Sequence, residues 1–150
     1  MAGQEKAEEI AQRMTQQERL VAELYRLYAT AFPKDAEMWL RLAGDEQEHA
    51  EWAESACDFC AAGKALSGWT RFPVAELDDS IRQIQEAIDA AQPGRTDRDA
   101  AIASALRIER GMAEKEFFTI VEAAPQPVMD IMAKLASGTR AHNGVLEAAW

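Results

Sequence analysis

Trp39-Leu40-Arg41-Leu42-Ala43-Gly44-Asp45-Glu46-Gln47-Glu48-His49-Ala50 is the segment on which the fold turns. Trp39, Leu42, Glu46, His49, Ala53 and Ala56 follow one another at alternating steps of three and four residues. That is the period of a single buried stripe on an α-helix. A carboxylate and an imidazole one turn apart therefore stand on the face that should be apolar. The chain writes the phrase twice. Leu42-Ala43 precedes His49, and Leu135-Ala136 precedes His142, the only other histidine. Upstream, Glu18-Arg19 with Ala22-Glu23 recurs as Glu109-Arg110 with Ala113-Glu114, and Pro33 is echoed by Pro125. Glu followed by His one helix later, in both halves, points to a two-fold site built from residue types that bind transition metals.

The same stripe runs through three other segments. Met14, Glu18, Val21, Tyr25, Tyr28 and Phe32 form one, with a carboxylate inside it. Ile102, Leu106, Glu109, Ala113 and Ile120 form the next, and Val128, Met132, Leu135, Thr139, His142 and Leu146 the last. Three carboxylates (Glu18, Glu46, Glu109) and two imidazoles (His49, His142) thus point inward at corresponding heights. Burying an ionised carboxylate without a partner costs several kcal/mol or forces it to take a proton. A bound dication removes that cost, because the ligands stay deprotonated and balance its charge. A metal-free polar network in the core is the alternative reading.

Breakers place these stripes on helices. Residues from about Gln4 to Ala31 contain neither Gly nor Pro, which predicts a first long helix. Phe32-Pro33-Lys34-Asp35 interrupts it, Asp35 serves as N-cap, and a second helix runs to about Ala62, before Gly63. A shorter helix starts at Pro73 and carries Leu77, Ile81, Ile84 and Ile88 on one face. After Gln92-Pro93-Gly94-Arg95, Thr96 and Asp99 resemble a capping box for a helix reaching about Glu122. Ala124-Pro125-Gln126-Pro127 reads as a turn before a final helix that ends at Trp150. The expectation is one all-α domain over residues 1–150. Its four long helices run up-down-up-down, and the short helix 73–91 lies in the central connection.

Bulk properties exclude several function classes. A chain of 150 residues suits one domain with a real core. Its net charge of −10 argues against nucleic acid and anionic membrane surfaces. No apolar run is long enough to span a bilayer. Met1-Ala2-Gly3-Gln4-Glu5-Lys6 has no apolar stretch of a secretory signal, so a cytoplasmic location is expected. Cys57 and Cys60 make a single Cys-x-x-Cys pair, read as two small apolar side chains, with a redox role as the alternative. Trp39, Trp52, Trp69 and Trp150 read as packing anchors, and the acidic run from Asp45 to Glu54 as a mostly solvated face.

On these residues the chain resembles the ferritin-like di-iron carboxylate family. Within it, the closest pattern is the rubrerythrin-related branch in its small form without a rubredoxin domain. The resemblance covers nearly the whole length and is most specific at Glu18 with Tyr25 seven residues on, and at Trp39 to Ala50. It implies a ferritin-like four-helix bundle with a crossover. Glu18 and Glu109 would be terminal carboxylate ligands, Glu46 a bridging or chelating ligand, and His49 and His142 the imidazole ligands, with Tyr25 a hydrogen-bond donor beside them. The implied cofactor is iron, one or two ions, with zinc or manganese as other occupants. The implied activity is an oxidase or peroxidase using O₂ or peroxide and an external electron donor. One position departs: Thr139 stands where the second Glu-x-x-His would have its glutamate. Met112 supplies no extra carboxylate, and Glu116 lies about 10.5 Å along the helix from Glu109 at about 1.5 Å per residue. A single metal, or two of unequal affinity, is therefore expected. The rival readings are a non-enzymatic protein with a degraded structural or sensing metal site, and a metal-free helical interaction module, for instance a homodimer.

Overall fold

The computed structural model of the chain describes residues 2–61, 74–92, 94–114 and 126–150. Within them it is all-α, with no strand. The elements are α1 (Ala2–Ala31), a 3₁₀ turn (Pro33–Asp35), α2 (Ala36–Ala61), α3 (Val74–Ala90), α4 (Arg98–Glu114) and α5 (Gln126–Ala149). No described helix is long and apolar enough to cross a membrane.

α1 and α2 form an antiparallel pair because the break between them is short. Phe32 N–H still bonds to the Tyr28 carbonyl at 2.8 Å, and Asp35 N–H closes the 3₁₀ turn on Phe32 at 3.0 Å. Just beyond the turn, Trp39 packs against Tyr28 and Tyr25, with ring centroids 4.8 and 5.4 Å apart. Further from the turn, His49 faces Glu18 and Glu54 pairs with Arg19. α2 and α5 are also antiparallel, since Asp45, His49 and Trp52 meet His142, Gly138 and Lys134 in that order. α4 touches α1 through Tyr25 and Glu109, and lies alongside α5.

The direction of α4 corrects the up-down-up-down expectation. Arg13 on α1 binds Asp78 near the start of α3 at 2.7 Å. Arg98 at the start of α4 binds Asp35, at the far end of α1, at 2.7 Å. α3 therefore carries the chain back along α1, and its 17 residues span about 25 Å. α4 then runs in the same direction as α2, and α5 returns, so the four helices bearing the inward Glu and His run up, down, down, up. Between α3 and α4, Gly94 adopts a positive φ of 81°, a conformation that L-residues resist.

The predicted stripes are buried. Met14, Val21, Tyr25, Tyr28, Trp39, Leu42, Ala53, Ala56, Ile102, Leu106, Met132, Leu135 and Leu146 all belong to one core. Leu77, Ile81 and Ile84 bury the predicted face of α3. Phe32 and Ile88 are partly buried at the edge of this core. Local details differ. Asp35 lies in the 3₁₀ turn, and its carboxylate is engaged by Arg98. α5 begins at Gln126, so Pro127 sits in its first turn, where a missing N–H costs nothing. Trp150 is 65% exposed and is no packing anchor. Pro73, Trp69 and the expected end of α4 near Glu122 lie outside the described residues, as do the side chains of Ala113, Val128, Cys57 and Cys60.

The cap of α4 is Asp97, one residue beyond the expected Thr96: Asp97 Oδ1 accepts from Ala100 N–H at 2.7 Å. Thr96 instead donates to the Asp97 carbonyl at 3.4 Å. Asp97→Ala is expected to cost about 1 kcal/mol in chemical denaturation, the usual worth of an N-cap, and Thr96→Ala well under half of that. Equal costs would return the cap to Thr96.

Candidate metal centre

Four helices each deliver part of a polar group to the middle of the core. Glu18 comes from α1, Glu46 and His49 from α2, Glu109 from α4, and His142 from α5. None of the five is more than 4% exposed. Glu46 is central. Its Oε1 lies 2.7 Å from His142 Nδ1 and its Oε2 lies 3.2 Å from His49 Nδ1. Donor atoms of Glu46, His49 and His142 all lie within 4.8 Å of one another, so this buried trio can hold a metal ion.

The outer carboxylates complete two unequal halves around Glu46. Glu18 Oε2 stands 3.8 Å from His49 Nδ1. Glu109 Oε1 stands 3.3 Å from His142 Nδ1, and Tyr25 O–H donates to that same oxygen at 2.7 Å. Two donors that each bind one ion at about 2.1 Å stand roughly 3–3.5 Å apart. The separations between Glu46 and His49 and between Glu109 and His142 fall in that range. Thr139 is buried one turn before His142, and its hydroxyl donates to the Leu135 carbonyl at 3.1 Å. It is spent on its own helix.

The electrostatics are those of a site short of positive charge. Burial pushes Glu46 well above the usual carboxylate range, and the charges of Glu109 and Glu18 push it further. Burial also raises Glu18, but the neighbouring Glu46, His49 and His142 outweigh it and leave Glu18 below its ordinary value. Burial alone would lower His142, yet hydrogen bonds and charge from Glu109 and Asp45 raise it overall. Burial lifts Tyr25 far up, with Glu109 and Glu46 adding to it, so it stays a neutral donor. The 2.7 Å contact between Glu46 and His142 is the shortest between the central carboxylate and an imidazole. Glu18 Oε2 and Glu109 Oε2 are buried without a hydrogen-bond partner. Orphaned carboxylate oxygens are expensive in a dry core, and a bound cation is one partner that would satisfy them.

Three neighbours of the group were not read from the sequence. Asp45, assigned to the solvated acidic face, places Oδ2 3.2 Å from His142 Nε2 and so turns Nδ1 inward. Trp52 stacks on His49 at 5.2 Å and 28°, and His49 stacks in turn on His142 at 5.2 Å and 25°. Gly138 lies against the other edge of His49: a Cβ there would meet Nε2 at 2.4 Å. A glycine inside a helix is itself a signal, because it costs about 1 kcal/mol against Ala. The signal does not discriminate, since Gly44, Gly111 and Gly144 are also helical and have nothing within 4 Å of that position. Glu116 lies outside the described residues.

No known protein family, curated protein or solved structure matches the chain.

Gly138→Ala is expected to displace His49 and cost about 1–3 kcal/mol, the usual cost of overpacking. Gly144→Ala, in open space on the same helix, is expected to be neutral or stabilising by up to about 1 kcal/mol. Comparing the two denaturation midpoints checks both, and equal midpoints would mean that His49 does not rest on α5.

Proposed function

We propose that the protein is a metal-binding, ferritin-like four-helix bundle of the rubrerythrin-related kind, whose metal is iron. One observation carries this: Glu46 lies between two imidazole Nδ1 atoms while the flanking Glu18 and Glu109 each keep a buried oxygen without a partner. Glu18, Glu46 and His49 would hold one ion. Glu109 and His142, with the other oxygen of Glu46, would hold the second, weaker one. Tyr25 fixes the orientation of Glu109, and Asp45 fixes that of His142. Water is kept out by the aromatic stack of Tyr25, Tyr28 and Trp39 on one side. Bound iron would supply redox chemistry toward O₂ or peroxide, with electrons from an external donor. The inward turn of Thr139 favours a second reading, in which the shortened ligand set keeps a single metal for a structural or sensing role. Zinc or manganese would serve that role equally well.

Protein purified without chelators is expected to carry at least one first-row metal per chain. Elemental analysis well below half an equivalent, together with no anaerobic uptake of Fe(II), would favour a metal-free module. Removing the metal should lower the melting temperature, because a ligand held only by the folded state adds about 2.7 kcal/mol at a hundred times its Kd. Glu46→Gln should soften that loss in the apo protein by deleting one buried acid.

Thr139→Glu tests the missing carboxylate. Thr139 is buried on α5 one turn before His142. A glutamate there is expected to raise Fe(II) capacity toward two per chain and to speed its oxidation by O₂ or peroxide, at an overpacking cost of about 1–3 kcal/mol. A folded variant that titrates to the wild-type endpoint would show that position 139 is not at ligand height.

A further inference from the structure

A metal bound by five side chains this deeply buried needs a way in. A cavity of about 500 Å³ lies between the α1–α2 turn, α2 and α5, and its wall includes Lys34, Glu37, Arg41, Asp45, His142 and Val145. It reaches His142, one of the five candidate ligands. A larger one of about 740 Å³, walled by Leu106, Arg107 and Arg110, touches none of the five. We propose that the cavity beside His142 is the route by which a divalent cation reaches the buried centre, and that Asp45 receives the ion there. The proposal rests on the metal-binding reading above and adds the path and the residue that serves it.

Three observations carry it. First, the His142 ring spans the barrier: Nε2 faces Asp45 at the cavity wall at 3.2 Å, while Nδ1 faces Glu46 and Glu109 inside at 2.7 and 3.3 Å. An ion that reaches Asp45 is one imidazole away from the inner carboxylates. Second, the Asp45 side chain is 53% exposed although it touches a ring only 3% exposed. It is the one carboxylate here that meets solvent and a buried ligand together. The other acidic groups differ: Asp35 is engaged by Arg98, and Glu37 contacts no candidate ligand. Third, the space is adequate. Six waters of a hydrated dication fill roughly 180 Å³ at about 30 Å³ each, so the ion can enter before it sheds its shell. The chain's net charge of −10 adds a general attraction for cations, which Lys34 and Arg41 on the wall oppose locally and Asp45 and Glu37 reinforce.

A route alters rates and leaves the equilibrium alone. The probe is Co(II), followed anaerobically by its visible absorption in stopped flow, with release driven by a chelator in excess. Val145, 43% exposed on the cavity wall, is replaced by Trp to fill the space. Val145→Trp is expected to slow uptake and release by the same factor, tenfold or more, with stoichiometry and Kd unchanged. Asp45→Asn is expected to slow uptake at least fivefold, and its uptake rate should depend less on ionic strength than that of the wild type. Leu40→Trp, on an exposed position away from the cavity, controls for added bulk and should match the wild type. Should Val145→Trp fold poorly, Ala141→Phe fills the same cavity from the neighbouring turn. Wild-type rates in the filled variants and in Asp45→Asn, at wild-type stoichiometry, overturn the route and leave the metal centre standing. No Co(II) bound by the wild type at equilibrium overturns the metal centre, and the route with it.

Discussion

Three carboxylates share one dry core, and the rest of the molecule is arranged around that constraint. Glu18, Glu46 and Glu109 are each at most 2% exposed. Mutual repulsion and desolvation forbid all three from being ionised without compensation. Part of the compensation is local: burial with the neighbouring Glu109 and Glu18 charges raises Glu46 well above the usual carboxylate range, and Tyr25 donates a neutral hydrogen bond to Glu109. The compensation is incomplete, because one oxygen each of Glu18 and Glu109 finds no donor.

Helix order follows from the need to bring four elements to one height. The short turn at Pro33–Asp35 fixes α1 against α2 and brings Glu18 beside His49. The return pass of α3 then lets α4 run parallel to α2, which places Glu109 against Tyr25 on α1 and against His142 on α5. α2 and α5 meet tightly at Gly138, where the absent side chain admits the His49 ring. That ring is gripped on both faces, by Trp52 and by His142, so its Nδ1 is held toward Glu46. Rigid support of this kind determines whether a set of donor atoms can act as one site.

How much of this could be read in the sequence depends on which physical rule each feature obeys. Burial of Glu18, Glu46, His49, Glu109 and His142 was legible, because a helical period reports which face a residue occupies. Which helix that face meets is not in the period. The order up, down, down, up depended on α3 making a full pass, and a short amphipathic segment does not announce its direction. Asp45 escaped for a related reason: it lies at the edge of the stripe, where one turn of the partner helix decides between water and His142. The role of Gly138 is set wholly by a side chain on another helix. Asp97 and Thr96 are both competent caps, and the choice between them rests on backbone geometry at a single residue.

Charge counting shows why Thr139 matters beyond the loss of one ligand. A fully duplicated Glu-x-x-His pattern would bring four inward carboxylates, enough to neutralise two dications. Here Thr139 leaves three, with neutral imidazoles beside them. On the proposed metal-binding reading, one dication would leave a single negative charge, which one proton would cancel. Two dications would leave a single positive charge and require an added anion, since the described residues bring no fourth carboxylate inward. Because unbalanced charge is costly where water is excluded, the first ion should bind much more tightly than the second. The asymmetry falls in the same place structurally: Glu46 and Glu18 both face His49, while on the His142 side Glu109 and the other Glu46 oxygen stand beside a threonine whose hydroxyl is turned to its own helix. The two-fold plan written into the sequence thus folds into a site whose halves are not equivalent.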